Sequence, residues 1–458
     1  MITRNCRRFV SIVLVLGLAG AVRGEVKVNP IFSNGMVLQR GIKVPVYGTA
    51  DKGEKVTVKF AGQSRTATAG DDGKWMVKLD ELKASADGAE LKIGDAVIKD
   101  VLVGEVWVCS GQSNMAFGMR ADKETATEAP NANFPKIRWQ GRMQWKGPGW
   151  APITPKSVTR VFAVAYYFAK TLHKELDVPI GLIGRARGGT PIEAWMPPGT
   201  ADDVYKKVDP KGGRSAKGRN GNLWTQHIAP LVPYGIRGAI WYQGERNAKE
   251  GTGWHYRYLQ KRQVEEWRKA WSQGDFPFLW VQVPTGANGG GMAQLRDSER
   301  RALQLTPNTG MAVFYDYGPS LHPPKKRAAG RRLALWALGT TYGKKDLVYS
   351  GPLLRDKDTK TVGKTLVLSF DHVGGGLTAK GGGAELKYFE VCGADGKWVP
   401  ARAVISGKTV VVSSEEVAKP VGARYLWATG GKPVVSLLNK EGLPASPFVT
   451  DPDFGKPK

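Results

Sequence analysis

The stretch VLVGEVWVCSGQSNM, Val101–Met115, decides the reading of the chain. Its apolar run, Val101 to Val108, stops abruptly at Cys109, Ser110, Gly111, Gln112, Ser113 and Asn114. A short apolar run bounded this way is consistent with a buried strand of a parallel sheet. In open α/β sheets, ligands bind beyond the carboxyl ends of the strands. Ser113 therefore stands where a nucleophile would be presented. The same residues also suit a plain turn, so the rest of the chain has to separate the two readings.

Working outward, further candidate strands are Ile180–Gly184, Gly238–Tyr242, Phe278–Val283 and Met311–Tyr315. Helical patterns lie between and after them: Val161–Leu176, Tyr256–Trp267, Ala293–Leu305 and Arg331–Leu338. Strands alternating with helices predict a parallel sheet covered on both faces. Residues 25–100 read differently. Ile42–Tyr47, Lys55–Phe60 and Trp75–Leu79 are short runs with alternation, punctuated by Gly and Asp, which predicts a small β domain. Strand signals return after about residue 346, at Thr365–Phe370, Lys387–Val391, Thr409–Ser413 and Arg424–Trp427, and predict a second β domain.

The first 24 residues carry Arg4, Arg7 and Arg8, then an apolar run from Val10 to Ala21, then small residues before Glu25. That is the pattern of a cleaved signal peptide, and the run is short for a membrane span. The expectation is export, to the periplasm or beyond, without stable membrane insertion. The division expected is 1–24 leader, 25–100 N-terminal β domain, 101–345 catalytic domain and 346–458 C-terminal β domain. Cys109 and Cys392 remain after the leader; two cysteines make no disulfide framework, and both are expected free and buried. No Cys/His spacing suggests a metal.

The formal net charge is +26, four arginines of which lie in the leader. An exported chain without a nucleic-acid module argues against nucleic acid as partner. Solvated surface charge is the plain reading; attraction to an acidic polysaccharide is the sharper one. Lys206–Gly221 is basic and glycine-rich, and Thr285–Gly291 is glycine-rich; each reads as a surface loop or a rim over a site.

Chemistry-bearing residues follow the predicted strands in turn: Ser113, then Arg187–Gly188–Gly189–Thr190, then Gln243–Gly244–Glu245, then His322. Parallel strands would bring them to one sheet edge. Serine needs a base to take its proton, and a developing oxyanion needs prearranged N–H donors. Among the five histidines, His173 reads as surface, His227 as packing and His372 as a turn; His255 opens a helix. His322, in a Pro-flanked loop after a strand, suits a fixed base.

CSGQSNM (Cys109–Met115), RGGTPIEAW (Arg187–Trp195), AIWYQGE (Ala239–Glu245) followed by Asn247, and LHPPKK (Leu321–Lys326) resemble the sialate O-acetylesterase family of SGNH-type hydrolases. FSNGMVLQR (Phe32–Arg40) and NKEGLPASPF (Asn439–Phe448) extend the resemblance to both ends. It implies a three-layer α/β/α, flavodoxin-like core and hydrolysis of O-acetyl esters on sugars, with neither metal nor cofactor. Ser113 takes the role of nucleophile and His322 that of general base; Ser110 reads as structural. Gly189 and Gln243, with the N–H of Ser113 or Asn114, are the oxyanion donors it implies. The family usually carries an acid a few positions before the histidine. Here Pro319 and Ser320 stand there, so the orienting acid is Asp316, Glu245 or neither. Three functions follow: an acetylesterase acting on sialate or a related, possibly acidic, polysaccharide; an esterase acting on acetylxylan, another hemicellulose or a lipid ester; or an idle carbohydrate-binding homologue. Trp139, Trp145 and Trp150 weakly favour sugar stacking.

Overall fold

The computed structural model describes residues 25–141, 149–211, 220–248, 252–284, 291–317, 319–427 and 435–451. The leader, Trp145, half of the basic loop and nearly all of the glycine-rich loop lie outside them.

The run at Val101–Val108 is the middle of a longer strand, β1 (Ala96–Gly111). It is joined in one sheet by β2 (Phe134–Gly141), β3 (Ala151–Ile153), β4 (Ile180–Ala186), β5 (Gly238–Tyr242), β6 (Phe278–Val281) and β7 (Thr309–Ala312). Their spatial order is β3-β2-β4-β1-β5-β6-β7. Every pairing from β2 to β7 is parallel, and β3 closes one edge antiparallel. β1 is central, which is why Val101–Val108 is buried on both faces and reads as continuous apolar sequence.

Helices cover both faces. Besides a short turn of helix, α1 (Ser113–Ala116), they are α2 (Ala163–Leu176), α3 (Tyr256–Trp271), α4 (Gly291–Leu305) and α5 (Arg327–Trp336). Alternation assigns the faces. Trp107 of β1 packs edge-on against Phe168 of α2, whereas Trp241 of β5, level with Ser110, meets Trp267 of α3. Helices α2 and α5 pack together on one side, and α3 and α4 on the other. This is the three-layer α/β/α arrangement.

Two β modules flank it. Near the N-terminus, Val44–Thr49 pairs with Lys74–Leu79, and Lys55–Phe60 with Gln63–Thr68, all antiparallel. Ser85–Ile93 pairs antiparallel with the first part of β1, so one strand passes through residue 100 and serves both the module and the central sheet. Glu105, fully buried on β1, accepts from Arg40 Nε at 2.5 Å, Arg237 Nε at 2.6 Å and Gln39 Nε2 at 3.1 Å, which ties the module to the core. Residues 353–425, with Phe448–Val449 at one edge, supply the second antiparallel sheet. Asp297 and Arg300 of α4 face it, with Arg300 reaching the Asp356 carboxylate at 2.7 Å and Arg301 the Val449 carbonyl at 2.7 Å. Cys109 and Cys392 are free and buried.

Of the tryptophans proposed as a sugar platform, Trp139 and Trp150 are packing residues instead. Trp139 lies against Gly141, Gly184 and Phe162, and Trp150 is buried with its indole N–H donating to the Ile31 carbonyl at 3.0 Å. Neither face is open to a sugar.

Candidate active site

The carboxyl ends of three strands meet at one level: Gly111 of β1 is in register with Ala186 of β4 and Tyr242 of β5. Beyond Gly111 the chain cannot continue the ladder. Gly111 has φ +141°, and a Cβ there would stand 2.2 Å from the Tyr242 carbonyl oxygen. Only glycine fits so close an approach. The chain turns sharply, Gln112 N–H donates to the Tyr242 carbonyl at 2.9 Å, and Ser113 opens α1 on the sheet edge.

His322 comes from the loop between β7 and α5. Its Nε2 lies 2.7 Å from Ser113 Oγ. This is the separation a base needs to take a hydroxyl proton. The imidazole pKa is pushed below its usual value, by burial first and then by the Lys326 ammonium. The ring therefore stays neutral, and able to accept, to lower pH than a free histidine.

Neither candidate acid holds the ring; among the described residues no carboxylate hydrogen-bonds His322. Asp316 gives both oxygens to Arg332 of α5, each at 2.7 Å, and is spent there. Glu245 reaches the histidine only indirectly. Its Oε1 accepts from Asn114 Nδ2 at 2.5 Å, and the same Nδ2 donates to the Leu321 carbonyl at 2.9 Å. Asn114 Oδ1 accepts from Lys326 Nζ at 2.5 Å. Burial raises the Glu245 carboxyl, and Oε2 is buried with no hydrogen-bond partner among the described residues.

Gln243 does not have the role the resemblance implied. Its Nε2 donates towards Gln112 Oε1 at 3.1 Å, the Thr190 carbonyl at 3.1 Å and Asn247 Oδ1 at 2.8 Å. Two N–H groups already face three acceptors, so none is left to meet an oxyanion. Gln243 instead braces the nucleophile turn against the Thr190 loop. Gly189 lies in that loop, at φ +70° and exposed. Its neighbour Gly188 stands close enough that an added Cβ would meet Ser113 Cβ at 3.4 Å. The glycine loop thus lies directly beside the Ser113 turn.

The other histidines are elsewhere. His173 Nδ1 bonds the Val178 carbonyl, His227 is buried near Trp195, His255 is paired with Asp209, and His372 sits at φ +59° after its strand. Ser110 is buried within the ladder. Sequence reasoning passed over Lys326 and the side chain of Asn114, although both lie inside the motifs GQSNM and LHPPKK. A lysine in a Pro-fixed loop was the available signal. Asn247 and Glu193 were also missed; Asn247 Nδ2 donates to Glu193 Oε2 at 2.8 Å and fixes the Gln243 brace.

A parallel α/β core with a serine hydroxyl against a histidine ring at the sheet edge is an arrangement suited to hydrolysis through a serine nucleophile. The comparisons narrow this. The model of the family described as carbohydrate esterase, sialic acid-specific acetylesterase matches residues 103–313. A solved structure described as a novel carbohydrate acetylesterase from Xanthomonas citri is 34% identical, with a TM-score of 0.83, covering 93% of this chain and 100% of that one. The sialate O-acetylesterase of Homo sapiens is 28% identical over 91% of each chain. That of Mus musculus is 27% identical, over 91% of this chain and 92% of its own. The chain belongs to the sialic acid-specific acetylesterase family of carbohydrate esterases.

Proposed function

We propose that the protein removes acetyl groups from an O-acetylated sugar through an acetyl-enzyme on Ser113. The observation that carries this is the 2.7 Å contact between His322 Nε2 and Ser113 Oγ. His322 takes the Oγ proton as Oγ bonds the acetyl carbonyl carbon. The carbonyl oxygen becomes an oxyanion, met by backbone N–H groups of the Ser113 turn and of Gly189. The tetrahedral adduct collapses, the bond to the sugar oxygen breaks, and His322 returns the proton to that oxygen. Water then attacks the acetyl-enzyme with His322 again as base, releasing acetate and restoring Ser113.

The names of the mammalian relatives support an acetylated sialate as substrate, and that of the Xanthomonas citri relative supports a carbohydrate acetyl ester more generally. Acetylated xylan is the second candidate. An idle binding protein is disfavoured by the relatives, which are named as esterases. The leader pattern supports export, and no helix among the described residues is long and apolar enough to cross a membrane.

Acetate release from O-acetylated sialic acid, acetylated xylan oligomers and p-nitrophenyl acetate tests the proposal. Ser113→Ala and His322→Ala are each expected to lower the rate by roughly 10⁶-fold, to background. Undiminished release by Ser113→Ala would end it.

A further inference from the structure

The missing acid leaves a question of geometry. In a serine–histidine–acid triad the carboxylate fixes the imidazole and stabilises its protonated form. Here something else must keep the ring on Ser113. The loop that carries His322 is tethered at three points. The Lys123 N–H donates to the Pro324 carbonyl at 2.8 Å, and the Lys326 N–H donates to Asp122 Oδ2 at 2.8 Å. The third tether is Asn114 Nδ2 on the carbonyl of Leu321, the residue immediately before the histidine.

Asn114 is itself fully used. It spends its two N–H groups on Glu245 and Leu321, and its oxygen accepts from Lys326 Nζ. An aspartate of the same shape could not do this. It would have no N–H for the carbonyl and would set a second carboxylate against Glu245. Asn114 is buried, adjacent to the nucleophile, and spans 207 residues to Leu321 and 131 to Glu245. Lys326 is fully buried over the rings of Phe117, Tyr242 and Phe314.

Resting on the serine–histidine reading above, we propose that Lys326, Asn114 and Glu245 form a buried relay that positions His322 on Ser113 through the Leu321 backbone, in place of a carboxylate on the ring. All three are positioning residues: none touches the reacting atoms through its side chain. The relay differs from a triad acid in its electrostatic sign. A triad acid favours the imidazolium, whereas the relay brings a cation towards the ring. Among the described residues Lys326 is the charged group whose field reaches His322, and Ser113 is the hydroxyl against it. Glu245 and Asp122 face Lys326 in turn and oppose the burial that pushes its pKa down to about 7.

The test is the pH dependence of kcat/KM, with kcat and KM resolved, on p-nitrophenyl acetate. Asn114→Asp is expected to lower kcat by on the order of tenfold to a hundredfold with little change in KM, the cost of a misplaced catalytic group. Lys326→Met is expected to lower kcat similarly and to move the acidic limb to higher pH, because the cation that opposes protonation of His322 is gone. Lys326→Arg, which keeps charge and donors, should return the limb towards its original position. A purely structural role would not move the limb. Wild-type kcat in both Asn114→Asp and Lys326→Met, with the limb unmoved, overturns the relay. If Lys326→Met does not fold, isosteric Asn114→Asp decides alone: wild-type kcat overturns the relay. Ser113→Ala in the same assay separates the two levels. An active Ser113→Ala refutes the serine–histidine reading, whereas an inactive one beside wild-type relay variants refutes the relay only.

Discussion

Replacing Asp316 by asparagine tests the site at the point where sequence and structure part. If Asp316 oriented His322, Asp316→Asn would resemble loss of a triad acid, about 10⁴-fold in rate. That is about 5.4 kcal/mol at about 1.36 kcal/mol per tenfold. The structure assigns both carboxylate oxygens to the Arg332 guanidinium at 2.7 Å each, with side chains 17% and 12% exposed. Asparagine keeps one oxygen for one of those hydrogen bonds and loses the charge. Hydrogen bonds to charged groups contribute about 1.5–3 kcal/mol, so the variant should lose roughly 1–2 kcal/mol of stability. Arg332 also holds the Val313 carbonyl at 2.7 Å, which limits how far α5 can shift. The expected activity is within about threefold of wild type, since the change stays in a pair that does not touch the ring. Steady-state kcat/KM on p-nitrophenyl acetate, paired with urea unfolding, reads both numbers. A folded Asp316→Asn that has lost about 10³-fold or more would show that the acid acts on His322 and that the assignment of Asp316 to Arg332 is wrong.

Three further predictions follow from the same geometry. Gly111→Ala puts a Cβ 2.2 Å from the Tyr242 oxygen at a positive φ, so it should cost about 3 kcal/mol or more and abolish activity with it; denaturant midpoints within error of wild type would contradict the close approach. The acidic limb of kcat/KM should lie below the ordinary histidine value of 6.5, because burial and Lys326 lower the His322 pKa and the neutral ring is the active form; a limb above 6.5 would oppose it. Asp297→Ala should destabilise by about 3–5 kcal/mol, since it strips the buried Arg300 and Arg301 of a shared carboxylate at 2.6–3.0 Å; an unchanged unfolding midpoint would show that this cluster does not bind α4 to the second β module.

How much could be read from the sequence depended on whether burial and backbone pairing coincide. Gly238–Tyr242 was legible to the residue because a central strand is apolar throughout its ladder. For the last strand they diverge. Val313, Phe314 and Tyr315 are buried and apolar, but the ladder ends at Ala312, so the predicted Met311–Tyr315 falls late. β1 begins earlier than its apolar run because its first residues pair with the N-terminal module and, Ile98 apart, are exposed. α5 starts at Arg327, four residues before the predicted Arg331, hidden by basic residues and by Gly330. That glycine lets two helices touch: a Cβ there would meet the Val164 carbonyl at 2.6 Å.

At the site, the meeting of Ser113 with His322 was legible because strand ends converge on one sheet edge. The orienting group was not. Proximity in sequence favoured Asp316, yet Arg332, one helix later, claims it. The links from Asn114 to Leu321, Glu245 and Lys326 join segments far apart in the chain, and a sequence carries no sign of which distant amide meets which carbonyl. Gln243 misled for a related reason: its motif predicted a free donor, but three acceptors had already gathered around it.

The most direct measurement is the intact mass of the protein after exposure to a fluorophosphonate, followed by peptide mapping. A single phosphonyl adduct on Ser113, lost in His322→Ala and retained in Asp316→Asn, is the predicted result. No adduct on folded wild-type protein, or an adduct on any other residue, would contradict the account.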